Sequence, residues 1–257
     1  MFVDSHCHLD FPELQRDMAA VLQQMQSNQV THALTISTTL TTFPRVRAVA
    51  EAYGHIYASA GVHPDEQVDD HEATVEELLR LADHTKVVAI GETGLDYFRL
   101  SEPLDWQRER FRIHIRAAKQ CAKPLVIHTR ESAEDTLRIM QEEGAAEVGG
   151  VMHCFTENAD VAQRAMEMNF YISFSGIVTF KNARALKEVA KQVPLARMLI
   201  ETDSPYLAPV PYRGKTNQPS YVKHVAEEIA QLKEVSVEEV GRVTTQNFFA
   251  LFKHAKQ

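Results

Sequence analysis

Several things are scarce in this 257-residue chain. No run of about 18 apolar residues occurs, so no membrane-spanning helix is expected. No basic segment followed by an apolar one opens the chain, which speaks against a secretory signal. Cysteine is rare: Cys7, Cys121 and Cys154 are scattered and odd in number, which argues against a disulfide framework and for a reducing cytoplasm. Glycine is also sparse, and neither G-x-G-x-x-G nor G-x-x-x-x-G-K-[ST] follows the first apolar run. Positive charge is in deficit, with 27 Lys and Arg against 35 Asp and Glu, for a net charge of −8. With no basic run, tight nonspecific binding of duplex nucleic acid is not expected.

Short apolar runs alternate with stretches of helical period from end to end. The runs "MFVDSH", "THALTIS", "IYASAGVH", "KVVAIGE", "PLVIH", "GGVMHCF", "FYISFSG" and "RMLIETD" are rich in Val and Ile. They are mostly apolar on both faces, as parallel strands covered by helices should be. Between them lie amphipathic stretches such as "PELQRDMAAVLQQMQ", "EATVEELLRLADH" and "LDWQRERFRIHIRAAKQC". Two more helical stretches close the chain, the second opening on a Ser followed by acidic residues, an N-cap signal. Eight strand–helix units in this length predict a single (β/α)8 barrel over residues 1–257. An open doubly wound sheet is the alternative, and the missing phosphate-binding glycine motifs count against it. The Pro-rich stretch "SPYLAPVPYRGKTNQP" reads as a long loop after the last strand.

The chemistry collects at the strand ends. In an extended segment His6 and His8 point one way and Cys7 the other. Other apolar runs end on His63, Glu92, His128, His153 and Asp203. In a barrel those C-terminal ends meet at one face, where active sites of this fold lie. A buried His or carboxylate needs a partner, or its burial costs several kcal/mol. A divalent cation supplies one. His6, His8, His128 and His153 with Glu92 and Asp203 form a mixed nitrogen and oxygen set that suits Zn²⁺, Mn²⁺ or a similar ion. Six ligands exceed one tetrahedral site and suit two ions sharing a carboxylate, an arrangement that activates water for hydrolysis of a phosphodiester, amide or lactone. Arg130 and the aromatic side chains of Phe155, Tyr206 and Tyr212 are candidates for contact with phosphate and base. His32, His55, His71, His84, His114, His224 and His254 have no such context and read as structural or solvated.

The segments "DSHCHLDF", "GVHP", "GETGLDY", "PLVIHTRES", "MHCFT", "YISFSGIVTFKNA" and "ETDSPYLAPVPYRGKTNQPSYV" together resemble the TatD family of metal-dependent deoxyribonucleases, within the amidohydrolase-type hydrolases. The resemblance runs from residue 3 to about residue 250. It implies a TIM barrel with two divalent ions, Zn, Mn or Mg. His6, His8, Glu92 and Asp203 would surround one ion, and Glu92, His128 and His153 the other, with Glu92 bridging. It implies that Asp203 accepts the proton of the attacking water, that His63 contacts phosphate, and that the loop with Arg213, Lys215 and Asn217 faces substrate. Glu157 and Gln218 stand where the family usually has Gly and Glu. The expected activity is a DNase trimming single-stranded DNA ends, with no membrane and no obligate protein partner evident. The alternative is a small-molecule amide, ester or lactone hydrolase.

Overall fold

The computed structural model describes residues 1–67, 72–98 and 104–257. Eight parallel strands follow one another around a barrel in chain order: β1 (Phe2–Cys7), β2 (Val30–Thr35), β3 (Ile56–Ala60), β4 (Val87–Asp96), β5 (Leu125–Arg130), β6 (Gly150–Met152), β7 (Phe170–Phe174) and β8 (Met198–Ile200). Among the described residues ten α-helices accompany them: α1 (Pro12–Gln15), α2 (Met18–Ser27), α3 (Phe43–Ala52), α4 (Val75–Ala82), α5 (Asp105–Cys121), α6 (Ala133–Glu142), α7 (Ala159–Glu167), α8 (Arg184–Gln192), α9 (Val222–Lys233) and α10 (Val237–Leu251). The barrel expected from the alternating pattern is the one found. No helix among the described residues is long and apolar enough to cross a membrane.

Side-chain chemistry sets the helix ends. The single helix expected over "PELQRDMAAVLQQMQ" is broken at Asp17, whose carboxylate accepts from Ala20 N at 3.1 Å and so starts α2 afresh. Thr74 and Glu77 close a capping box on α4. Ser236 caps α10, as its sequence signal suggested, by accepting from Glu239 N at 3.1 Å.

A buried cluster draws Val3, Leu34, Tyr57, Val88, Val126, Val151 and Leu199 from seven strands and Phe248 and Phe252 from the C-terminal end. This cluster fills the barrel below the strand ends. Alternation along a strand then sends the residue two further on in the same direction. His128 follows Val126, His153 follows Val151 and Glu201 follows Leu199, so packing of the apolar layer aims the polar layer above it.

The seam between β1 and β8 is held by few strand residues, because β8 is only three residues long. Past its end, Cys7 and Ser204 form a parallel bridge, His8 N donates to Ser204 O at 2.8 Å, and Asp203 N donates to His6 O at 2.9 Å. The buried Asp4 carboxylate accepts from Thr202 N at 2.9 Å and Thr202 Oγ1 at 2.6 Å. Closing the barrel therefore also places His6, His8 and Asp203 side by side.

Candidate metal centre

Strand ends depart from the sequence reading in one informative place. β4 does not stop at Glu92 but runs on to Asp96, with its register against β5 shifted between Ile90 and Thr93. A bulge of this kind re-aims a side chain without ending the strand. Gly91 makes it possible: its φ is +146°, and a Cβ there would lie 2.6 Å from Val126 O. The strand continuation also delivers Asp96, which sequence reasoning left outside the site. His63, His153 and Asp203 lie just past their strands in loop backbone. Asp203 has φ +57° and Cys154 φ +43°, left-handed conformations that cost about 1–3 kcal/mol each and persist only where surroundings impose them.

The buried Glu92 carboxylate is the centre of the arrangement. Its Oε2 lies 3.3 Å from His6 Nε2. Its Oε1 lies 2.7 Å from His153 Nε2, 3.2 Å from His128 Nδ1 and 3.3 Å from His63 Nε2. Asp203 Oδ1 lies 3.5 Å from His6 Nε2 and 3.4 Å from His8 Nε2. The His6 and His153 rings stack at 3.8 Å between centroids. All six residues expected as ligands thus converge, and His63 both lines the cavity, as expected, and stands within the same group. Among the described residues, three sets of donor atoms lie close enough to share an ion: His6, His8 and Asp203; His6, His153 and Glu201; and His63, Glu92 and His128.

The far side of the imidazoles is held by carboxylates, Asp96 and Glu201 buried and Asp65 half-buried. Asp96 Oδ2 is 3.0 Å from His128 Nε2. Glu201 Oε1 is 3.3 Å from His153 Nδ1 and accepts from Cys154 N at 2.8 Å. Asp65 pairs with His63 Nδ1. Such outer partners fix ring orientation and tautomer in metal sites. The signal for Glu201 was its parity with Asp203; nothing local marked Asp65.

Burial opposes ionisation of Glu92, yet the fields of His153, His63 and His6 and the bond from His128 hold it well below the usual carboxylate range. Burial likewise opposes the charge on Asp203, and His8, His6 and His153 more than offset it. Burial disfavours imidazolium at His63, but Glu92 and Asp65 push it up to about 10. His153 rises well above its usual value, with Glu92 and Glu201 outweighing burial. His6 moves the other way, kept neutral by burial and by His153. Glu92 and Asp203 are thus ionised carboxylates in a buried pocket, held so by the imidazoles around them. His6 Nδ1, His6 Nε2 and His8 Nδ1 are buried without a hydrogen-bond partner. Buried imidazole nitrogens of His6 and His8 with no partner, close to ionised carboxylates, fit a divalent metal ion.

The centre lies at the base of a cavity of about 590 Å³. A sequence model of the family described as TatD related DNase matches residues 3–253. The chain belongs to the TatD family. This TatD-family protein is 46% identical over 253 residues to YabD of Bacillus subtilis (strain 168), an uncharacterized metal-dependent hydrolase, covering 98% of this chain and 99% of that one. It is 48% identical to YcfH of Escherichia coli (strain K12), also an uncharacterized metal-dependent hydrolase, over 97% of this chain and 95% of that one. Among solved structures, the TatD homologue YjjV of Escherichia coli K12 superposes with a TM-score of 0.91 at 28% identity, covering 98% of both chains. A TatD-family hydrolase from Entamoeba histolytica shares the fold with a TM-score of 0.87 at 24% identity, over 98% of this chain and 97% of that one. The protein is accordingly a metal-dependent hydrolase with clustered candidate ligands.

The other sequence candidates fall into two groups. Arg213 and Lys215 are not among the residues lining the cavity. The Arg213 guanidinium stacks 3.7 Å from the Phe180 ring centre and donates to Ala208 O, and Lys215 lies over Tyr212. Asn217 is buried and donates to Thr202 O and Tyr206 O, clamping the loop rather than facing out of it. Phe155 is buried, and Tyr212 is half-buried and stacks on Tyr221 at 4.1 Å; neither is among the residues lining the cavity. Arg130 and Tyr206 do line the cavity. Cys7 faces away from the metal ligands, with Sγ donating to Leu34 O. Glu157 is half-buried, its carboxyl pushed up by burial and by Glu131. His114 is a core residue, bonded to Val62 N and Arg110 O, while His71 lies outside the described residues.

Proposed function

We propose that this protein is a deoxyribonuclease that trims single-stranded DNA ends, using two divalent ions. One observation carries the reading: the two oxygens of Glu92 face two separate sets of nitrogen donors, His6 on one side and His63, His128 and His153 on the other. His6, His8 and Asp203 would hold one ion and His128 and His153 the other, with Glu92 between them. Ions held there supply Lewis acidity and lower the pKa of water. Asp203, kept ionised as described, orients the attacking water and takes its proton. His63, paired through Nδ1 with Asp65, would contact a phosphate oxygen. The family description supports DNA as substrate. The site lies in a cavity rather than on a broad basic surface, which favours a strand end over continuous duplex. Three unpaired cysteines are in keeping with a reducing cytoplasm.

A second reading, a small-molecule ester, amide or lactone hydrolase, draws support from Asp65 and Glu66, which put carboxylates on the cavity wall. The test is hydrolysis of 3′- and 5′-labelled single strands, closed circular DNA and a panel of lactones, amides and esters with Zn²⁺, Mn²⁺ or Mg²⁺. Release of mononucleotides from linear single strands is the expected result. Equal cutting of closed circles removes the end preference. Lactone or amide turnover without nucleotide release replaces the nuclease reading with the second.

A further inference from the structure

The wall of the cavity is divided by chemistry, and barrel order explains how. Phe11 follows β1, Ile177 follows β7, and Tyr206 and Leu207 follow β8. Those strands are neighbours around the barrel, so their loops form one continuous apolar arc of the mouth. Asp65 and Glu66 after β3, Arg130 at the end of β5 and Thr156 after β6 form the polar remainder. Arg130 is the one Lys or Arg among the described residues that line the cavity.

The apolar arc holds a line of rings running outward from the metal centre. The His8 ring stacks on Phe11 at 4.8 Å and 25°, and Phe11 meets Tyr206 edgewise at 6.1 Å and 80°. Exposure rises along the line, from buried His8 through half-buried Phe11 to Tyr206 at 55%. The two rings stand nearly at a right angle and both line the cavity, so together they form a corner of its wall. A flat aromatic group placed there meets one ring face to face and the other edge to face, both favoured geometries. The corner's position is set by a close backbone approach: a Cβ on Gly176 would lie 2.1 Å from Leu207 O. Across the cavity, the Arg130 guanidinium lies 3.7 Å from the Phe98 ring centre, which holds its plane against an aromatic face.

We propose that Phe11 and Tyr206, backed by Leu207 and Ile177, form a subsite for the terminal nucleobase of a DNA strand, and that Arg130 binds the phosphate beyond the one being cleaved. This rests on the nuclease reading. A nucleotide carries a flat, weakly polar base and a charged phosphate on opposite sides of a sugar, and the cavity sets its apolar arc opposite the one arc that holds a cation, Arg130. With a phosphate on the metal centre, a base on the adjoining apolar arc occupies the corner. Stacking recognises any base through its π-face, so the subsite reads the presence of a base rather than its identity.

The test uses metal-loaded protein and single-stranded oligonucleotides whose attacked terminal residue is either natural or an abasic tetrahydrofuran. Wild-type kcat/KM should be roughly 10-fold or more higher on the natural end. Tyr206→Ala should slow the natural end toward the abasic rate and leave the abasic rate unchanged, and Tyr206→Phe should restore the preference. Arg130→Ala should raise KM on both ends and flatten the dependence of log KM on log salt by about 0.7. A wild-type ratio near one, or equal slowing of both ends by Tyr206→Ala, overturns the base subsite while the nuclease reading stands. An unchanged salt slope in Arg130→Ala overturns the phosphate contact. Absence of hydrolysis on every DNA end removes the nuclease reading and this subsite with it. Tyr206 is half exposed, so folding of the variant is not at risk, and a thermal melt verifies it.

Discussion

Replacing Glu201 by Gln isolates what the outer carboxylates do. The change keeps shape and removes charge. In the wild type, Glu201 Oε1 serves two donors, Cys154 N at 2.8 Å and His153 Nδ1 at 3.3 Å. A Gln carbonyl can still accept from Cys154 N, so the left-handed turn after β6 keeps its anchor. The amide no longer offers a charged acceptor to His153, whose Nε2 must keep its lone pair to serve as a ligand. If the proton moves from Nδ1 to Nε2, that lone pair is lost. Loss of such a partner costs about 10–100-fold in metal affinity, or roughly 1.4–2.7 kcal/mol. Competition titration of Zn²⁺ or Mn²⁺ against a chromophoric chelator measures it, beside thermal melts of the metal-free protein. Glu201→Gln should bind metal about 10–100-fold more weakly with little change in the metal-free melting temperature. Glu201→Ala should also lower that melting temperature, because it orphans the Cys154 N–H at about 1–3 kcal/mol. Wild-type metal affinity in Glu201→Gln would refute the reasoning.

Three further expectations can be checked separately. Asp203→Asn should lower kcat by roughly 10²–10⁴, the usual contribution of a positioned base, and unchanged hydrolysis by highly purified protein would count against its role. Gly91→Ala should destabilise the fold by about 2–4 kcal/mol and abolish activity, since it adds a Cβ 2.6 Å from Val126 O at a φ only glycine favours. Gly54→Ala, where nothing lies within 4 Å, is the control and should be close to neutral in a denaturant melt. His114 sets a pH dependence: burial lowers its pKa to about 4, so the folded state binds its proton less tightly than the unfolded one. Its contribution is fully present above the unfolded value of about 6.5 and declines as pH falls from there toward 4, by roughly 2 kcal/mol between pH 7 and pH 5. Urea melts of wild type and His114→Gln at those two pH values should show a smaller difference in the variant; an equal difference would remove His114 from the account.

The alternation of Val- and Ile-rich runs with amphipathic stretches already determined a parallel barrel, because a strand apolar on both faces must be covered on both. That fold brings strand ends together, and so His6, His8, His63, Glu92, His128, His153 and Asp203 were legible as one group before any coordinate. Of the side chains that stand behind them, Glu201 was marked by its parity with Asp203, and Asp65 by nothing local. Asp96 reaches His128 only because the bulge at Gly91 lets β4 continue, and Glu201 reaches His153 across β6, β7 and β8, 48 residues away in sequence. The loop after β8 shows the same limit: Arg213 stacks on Phe180 and donates to Ala208 O while Tyr206 lines the cavity, and neither direction is written in the loop's own sequence. Hydrophobic period and strand parity are local properties that a chain carries on its face. The direction of a loop side chain depends on which distant backbone carbonyl or ring accepts it, and only the closed barrel decides that.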